Sequence, residues 1–370
     1  MAEKLRNIIE EISRDFLESS LGLRYDICTC SMCKNDMLAF VLSRVPAKYV
    51  TTEQGALHTV MDQARIENRA EIARAVISAI DIISKNPRHK QTEDREKTFK
   101  LLLDKIFEDR GVDFRHYREE ILKRRVAIRM RANNISTYSE YLRLLMKKPE
   151  EYDKLFETLC INVTEFFRDK EVWVTLRYLF DKLIQEKIRK NDFTLKVWSA
   201  GCATGEEPYS LAILLTERLK LIPQTFTLQI IATDIDPAAM KAATIGKYAK
   251  EAIKNVEDKY VTEHFKPAAD NSSYRVKEEI KKLVEIKYLD LTSQELIPDT
   301  DIVICRNVFI YFGRSLQEQL LMKFYKSLKT GGYLIMGKAE IIFSEAKEIF
   351  KDVDLNARIY QKRNVEQPAS

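Results

Sequence analysis

The sequence predicts an α/β chain: a Rossmann-like open sheet preceded by all-α helical domains. Three junctions carry this prediction, Val197–Pro208, Ile231–Asp236 and Asp301–Val308. In each, an apolar strand-like run breaks into small or polar residues where a parallel sheet presents its carboxyl ends. A fourth run, Val284–Asp290, ends the same way. Ligands of open α/β sheets bind at that edge, where the strand order reverses.

From the N-terminus, residues 1–90 read as a separate unit. Apolar residues recur at three- and four-residue steps through Leu5, Ile8, Ile9, Ile12 and Phe16, and again from Ile66 to Ile83, which predicts helices. Between them lie Cys28-Thr29-Cys30-Ser31-Met32-Cys33, a stretch opening on Asp36-Met37, and Val45-Pro46-Ala47-Lys48-Tyr49-Val50. On these residues the segment resembles the late-competence ComFB family. The resemblance implies a small helical module able to form a homodimer and to sense a small ligand, cyclic dinucleotides being linked to its members. Cys28, Cys30 and Cys33 suit zinc as thiolates, but a closed structural site takes four donors. His58, an acidic residue or a second chain would supply the fourth; the other reading is three small, partly buried thiols beside a turn. The polar stretch from Lys85 to Arg95 reads as a linker.

Residues 95–160 read as a helical subdomain. Phe99, Leu102, Leu103, Ile106 and Phe107 form one apolar stripe, and Tyr138, Tyr141, Leu142 and Leu145 another. Between them Phe114–Arg131 is expected as a basic helix, with seven basic residues, including Arg115, Arg118, Arg124, Arg125 and Arg129, against Glu119 and Glu120. That local excess matches the net charge of +5 for the whole chain, so the positive charge is concentrated there. A basic helix meets nucleic acid, an anionic membrane, an acidic protein surface or only water. No aromatic-interleaved platform for single strands accompanies it, which weighs against nucleic acid.

The loop Ser199–Pro208 indicates the cofactor. Pyrophosphate docks on free N–H groups at a bare helix N-terminus, whereas here Glu206 and Glu207 open the helix and Pro208 fits a first helical position. Two carboxylates suit the helix dipole and repel phosphate. A phosphate-free cation fits better, and S-adenosylmethionine is the obvious member of that class. Asp234, at the end of the next strand, stands where an acidic residue bonds ribose hydroxyls. A hydride-transferring dehydrogenase is disfavoured by the same charge argument. The fold expected is then the class I S-adenosylmethionine-dependent methyltransferase sheet.

Four segments, Asn162–Arg168, Ser199–Tyr209, Ala232–Asp236 and Cys305–Phe312, resemble the CheR-type chemoreceptor methyltransferases. The resemblance spans residues 95–365, with a helical subdomain over 95–160 and a methyltransferase domain over 161–365. It implies methylation of glutamate side chains on chemotaxis receptors, with S-adenosylhomocysteine as the second product. It also implies cofactor contacts from Asn162, Thr164, Arg168, Glu207 and Asp234 and from Asp290, Leu291, Arg306 and Asn307. Arg168 and Tyr311 fall nearest the reacting centre: Arg168 is expected to orient the incoming carboxylate, and Tyr311 to line the transfer channel. Their alternative readings are a salt bridge of Arg168 to Glu165 or Asp169 and core packing of Tyr311. Beside such an enzyme, Arg115, Arg118, Arg124, Arg125 and Arg129 are read as docking acidic receptor helices. Residues 260–287 resemble the β-subdomain with which some members grip a receptor pentapeptide tether. The loop here, Lys266–Tyr274, contains no glycine, so tether-independent action is expected.

The rest of the chain closes the fold. Leu316–Leu328 is expected as an amphipathic helix, Gly331-Gly332 as the turn after it, Tyr333–Gly337 as a buried strand and Ala357–Gln361 as the final strand. Cys160, Cys202 and Cys305 are isolated and read as fillers of small-residue positions. No run approaches the ~18 apolar residues of a membrane span, the charged N-terminus has no signal-peptide profile, and six cysteines without a secretion signal suggest reduced thiols. A cytoplasmic protein without membrane insertion is expected. Two other functions fit the same pocket: a scaffold that binds the cofactor or a cyclic dinucleotide without catalysis, and a methyltransferase of small molecules or nucleic acid. Against the second, Asn307-Val308-Phe309-Ile310-Tyr311 lacks the Asp/Asn-Pro-Pro-aromatic strand end of base amino-methylation.

Overall fold

The structure is a computed structural model describing residues 5–22, 27–28, 30–63, 66–85, 88, 95–160, 162–269, 272–343 and 346–364. The chain divides into two compact units, one of Met1–Leu103 with Glu120–Leu155 and the other of Asp104–Glu119 with Phe156–Ser370. Among the described residues no helix is long and apolar enough to cross a membrane.

The second unit holds a seven-stranded sheet of β1 (Thr194–Ala200), β2 (Thr227–Asp234), β3 (Val284–Tyr288), β4 (Thr300–Cys305), β5 (Leu328–Met336), β6 (Phe350–Asp354) and β7 (Ile359–Lys362). Their spatial order is β3-β2-β1-β4-β5-β7-β6. The first five are parallel, and β7 runs antiparallel to both β5 and β6. The junction runs were apolar throughout because both sheet faces are covered. Val197, Ile230, Ile302 and Ile335 face α1 (Lys170–Arg189) and α2 (Glu206–Leu219). Their chain neighbours Trp198, Ile231, Val303 and Leu334 point the other way, into the core beneath α4 (Arg314–Ser327). Trp198 is fully buried and its indole N–H donates to Thr233 Oγ1 at 2.9 Å, so its polar atom is satisfied inside the core.

Register fixes the functional edge. Ala200 pairs with Thr233, Ser199 with Ile304 and Asp234 with Tyr288, so the carboxyl ends of four strands lie level. Strand order reverses between β1 and β4, which puts the switch point above that edge. Asp236 then starts α3 (Pro237–Ile245) as its N-cap, its carboxylate accepting from the N–H groups of Ala238 and Ala239, with Pro237 next in the chain.

Several elements differ from expectation. Gly331 and Gly332 lie inside β5, where Gly331 (φ +78°) sits at a register shift between Leu328 and Tyr333. The small three-stranded sheet begins earlier than residue 260: its strands are Lys247–Ala249, Phe265–Pro267 and Ser273–Val276, while Val284–Tyr288 belongs to the main sheet. Phe114–Arg131 is not one helix. Asp113 accepts from the backbone N–H of Arg115 and takes its guanidinium in two bonds of 2.8 Å, which turns the chain back, and the helix begins only at Glu119. Pro208 is the third residue of α2, after Glu206.

In the first unit, helices Ile8–Gly22, Ser31–Leu42, Glu53–Gln63 and Ile66–Lys85 bury Ile9, Leu17, Met37, Val41, Val76 and Ile80. The Val-Pro turn delivers Tyr49–Val50 as a short strand against Arg6–Asn7, so the module is not purely helical. Helices Glu119–Ala132 and Tyr138–Lys147 also contribute to this unit; Thr137 caps the latter by accepting from the Glu140 N–H. Apart from Arg88, the interior of the expected linker lies outside the described residues, as do positions 270–271 of the glycine-free loop and the side chain of His58.

Candidate active site

The loop after β1 is folded by its neighbours. Gly201 (φ +82°) and Cys202 both donate their N–H groups to Thr233 O, and Ala203 N–H donates to Asp234 Oδ2 at 2.7 Å. A Cβ on Gly201 would stand 2.5 Å from Val308 Cγ2, so only glycine lets this loop meet the one after β4. Asp234 also accepts from the N–H groups of Ile235 and Asp236, which makes it a hub of the loop as well as the expected ribose partner. Glu206 does not stand at the lip: it is 6% exposed and accepts from the Thr204 hydroxyl. Glu207 does face the edge, bonded to Ser199 Oγ at 2.8 Å and paired with Arg306 at 3.7 Å.

Arg306 is the central cation. Its nearly buried guanidinium donates to Asp169 at 2.6 Å and to the Arg168 carbonyl at 3.1 Å, tying the 162–169 segment to the sheet. In that segment Phe167 and Asp169 have positive φ, and the Asp169 conformation, unusual for a non-glycine residue, is held by Arg306. The Trp173 indole donates to Arg168 O and the Phe167 N–H to Ser210 Oγ, anchoring the segment to α1 and α2. Asn162 donates to Asp236 Oδ2 at 2.5 Å, and Thr164 is half-buried. Arg168 makes neither salt bridge considered for it; its guanidinium donates to the Val163 carbonyl at 2.8 Å.

On the β3 side, Asp290 accepts from the N–H and hydroxyl of Thr292, and the buried Lys323 ammonium donates to the carbonyls of Leu291 and Ser293. A cavity of about 380 Å³ beside Asp290 is flanked by Phe107, Asp113, Tyr288 and Leu289. On the β4 side, Asn307 (φ +62°) leads into the short turn Phe309–Tyr311, where Tyr311 is half-buried against the core beneath α4. Arg306 Nε and Asn307 Oδ1 are buried without a hydrogen-bond partner among the described residues, an unspent donor and acceptor that fit a polar ligand.

Electrostatically the edge favours a cation. Burial pushes the carboxyl groups of Glu206, Glu207 and Asp234 above their ordinary range. Arg306 and the Ser199 hydroxyl pull Glu207 partly back, as three backbone N–H groups do Asp234.

Sequence reasoning missed Asp169, Asp236, Lys323, Glu340 and the segment 113–118. Glu340, 4% exposed, accepts from the N–H groups of Gly337, Asn307 and Phe309; an acidic residue just after the fifth buried strand run was the available signal. The segment 113–118 pairs with the turn after β4: Arg118 N–H donates to Tyr311 O and Gly313 N–H to His116 O, while the Tyr117 ring meets Phe312 edge-on at 4.8 Å. Of the expected docking residues, Arg118 donates to the Phe312 carbonyl and Arg115 is held by Asp113 and Asp104. In the first unit Arg129 makes two bonds to the buried Glu151, whereas Arg124 is exposed and Arg125 half-buried on the same helix. Also in that unit the sulfurs of Cys28, Cys30 and Cys33 lie within 4.8 Å of one another, with no fourth metal-ligating group in the cluster among the described residues. Burial and the neighbouring Cys28 push the Cys33 thiol up to about 12.

The strand order and the polar groups level at its switch point define a class I S-adenosylmethionine-dependent methyltransferase. The SAM-binding domain of the CheR methyltransferases matches residues 162–359, and their all-alpha domain matches residues 97–160. The chain belongs to the CheR methyltransferase family. Its front segment, residues 6–87, matches the late competence development protein ComFB. A chemotaxis protein methyltransferase of Listeria innocua is 32% identical over 254 residues, 68% of this chain and 93% of that one. Another, from Escherichia coli, is 28% identical over 248 residues, 65% of this chain and 83% of that one. Among solved structures, the late competence protein ComFB from Bacillus subtilis is similar over 24% of this chain and all of that one, at 24% identity and a TM-score of 0.23.

Proposed function

We propose that this protein methylates glutamate side chains on the cytoplasmic helices of chemotaxis receptors. The observation that carries the reading is the pair of buried carboxylates, Glu207 and Asp234, at the ends of neighbouring elements of the switch-point edge, a site suited to a ligand with positive charge and no phosphate. S-adenosylmethionine, when bound, supplies a sulfonium-activated methyl group. Glu207, Asp234, Asp290, Leu291, Arg306 and Asn307 hold it from the sheet, and Asn162 and Thr164 close over it from the 162–169 segment. A glutamate carboxylate is ionised near neutral pH, so the acceptor needs no strong base. What this chain must supply is alignment and exclusion of water, and alignment alone is worth roughly 7–11 kcal/mol. Arg168 orients the incoming carboxylate with the donors it does not spend on Val163, and a guanidinium beside that group keeps it ionised. Tyr311 lines the path of attack.

Docking on acidic receptor helices falls to Arg124 and Arg125, since Arg115 and Arg129 already pair with acidic side chains. The glycine-free sequence of residues 266–274 supports action without a pentapeptide tether. The front module serves as a dimer-forming ligand sensor, and the three clustered sulfurs support zinc there with a fourth donor from elsewhere. The test is transfer of labelled methyl from S-adenosylmethionine to receptor-bearing membranes. Wild-type protein should label receptor glutamates, and Arg168→Ala should abolish labelling while sparing S-adenosylhomocysteine affinity within about threefold. Absence of label in receptors would overturn the reading, and equal loss of binding and transfer would reassign Arg168.

A further inference from the structure

The turn from Asn307 to Phe312 carries two of the residues the site depends on, and two buried side chains hold its backbone from opposite sides. On the amide side stands Glu340. Its Oε2 accepts from the N–H groups of Gly337 at 2.6 Å and Asn307 at 3.1 Å, and its Oε1 accepts from Phe309 at 2.8 Å. No cation pairs with this carboxylate among the described residues, so its charge is met by backbone dipoles alone, an arrangement costly to bury. On the carbonyl side stands Gln317 of α4, 8% exposed, whose amide donates to Phe309 O at 2.6 Å and Phe312 O at 3.2 Å. Space is fitted to the same end: a Cβ on Gly337 would come within 2.7 Å of Asn307 N and 2.8 Å of Glu340 Oε2. The output of this grip is Asn307, held at φ +62° with its Oδ1 buried and unspent.

We propose that Glu340 and Gln317 are positioning residues of the transferase. Glu340 fixes the end of the turn that presents Asn307 to the cofactor, and Gln317 fixes the end that presents Tyr311 to the methyl acceptor. The proposal rests on the reading that this edge holds S-adenosylmethionine. It divides the turn into a binding end and a transfer end, each with its own support.

The division is testable with the full chain by calorimetric titration of S-adenosylhomocysteine and by steady-state methyl transfer to receptor membranes. Glu340→Gln replaces one accepting oxygen by a donor facing N–H groups, and should weaken S-adenosylhomocysteine about tenfold to hundredfold. In an Asn307→Ala background the same change should add less than about twofold, because it acts through that residue. Gln317→Ala should leave the affinity within about threefold, lower kcat about tenfold, and add little to Tyr311→Ala. Full and independent losses in both double variants would overturn the proposal, as would variants that lower only the melting temperature. If Glu340→Gln fails to fold, the Gln317 and Tyr311 pair decides the question by itself. Wild-type protein that bound no S-adenosylhomocysteine would overturn the site reading itself; wild-type binding with additive losses would overturn the positioning roles alone.

Discussion

Replacing Gly201 by alanine tests the central packing of the site, the meeting of the loops after β1 and β4. Two costs are legible. At φ +82° an L-residue pays about 1–2 kcal/mol for the left-handed backbone. The added methyl would also lie 2.5 Å from Val308 Cγ2, where carbon atoms normally sit about 3.5–4.0 Å apart, so one loop must retreat by about 1 Å. Overpacking of that kind costs about 1–3 kcal/mol, giving a total of about 2–5 kcal/mol. Val308→Ala separates the two contributions. It deletes the overlapping methyl while the Val308 Cβ stays at 3.6 Å, so the double variant should recover the packing share and keep the conformational one. Urea unfolding followed by tryptophan fluorescence suits the purpose, because both tryptophans, Trp173 and Trp198, belong to the sheet-bearing unit. A Gly201→Ala protein within about 0.5 kcal/mol of wild type, or a double variant that recovers nothing, would refute the reasoning.

Binding of S-adenosylmethionine should release protons, because a cation placed beside Glu207 and Asp234 lowers carboxyl groups that burial has raised. Affinity should therefore strengthen as pH rises through their raised range, and calorimetry in buffers of different ionisation enthalpy should report the released protons; no proton release would contradict this. In the first unit, Glu151 is disfavoured by burial but lowered on balance by Arg129, so its contribution to stability is full above the ordinary carboxylate range and is lost as pH falls through its depressed value. Glu151→Gln leaves Arg129 without its partner and should cost about 3 kcal/mol, read from the helical unfolding transition by circular dichroism; an unchanged transition would count against a buried pair. Full-length protein purified without chelator should carry zinc, and Cys33→Ser should abolish it; metal-free wild type by elemental analysis would leave the three thiols as packing groups.

What the sequence disclosed follows from burial. The junction strands stood out because β1, β2, β4 and β5 are covered on both faces, so adjacent residues such as Val197 and Trp198 are both apolar. Their polar ends stood out by contrast, which singled out Asp234 and the carboxylates opening the helix after β1, whereas the cofactor roles of Arg306 and Asn307 came from the resemblance to the CheR family. What stayed hidden depends on partners distant in sequence. Nothing near Glu206 foretells that it turns inward to Thr204 while Glu207 turns to Arg306, 99 positions later in number but adjacent in space. The break at residues 115–118 was invisible because a run of arginines is compatible with helix, and only Asp113 and the Phe312 turn decide against it. Glu340 escaped notice because a lone acid after a strand is common, and its significance lies in three amides brought to it by another loop.

The pairing of residues 113–118 with the turn after β4 bears on how the enzyme is made. Arg118 and Phe312 are separated by 194 positions, so during synthesis the early segment emerges long before its counterpart. Closing so long a loop adds only about 0.6 kcal/mol per doubling of length, yet contacts of high sequence separation form late in folding. The transfer edge should thus be among the last parts of the nascent enzyme to mature. A shortened protein starting at Asn162, where the SAM-binding match begins, would leave the Tyr311 carbonyl to water and the Phe312 carbonyl to Gln317 alone, and should transfer methyl groups poorly even with its sheet intact.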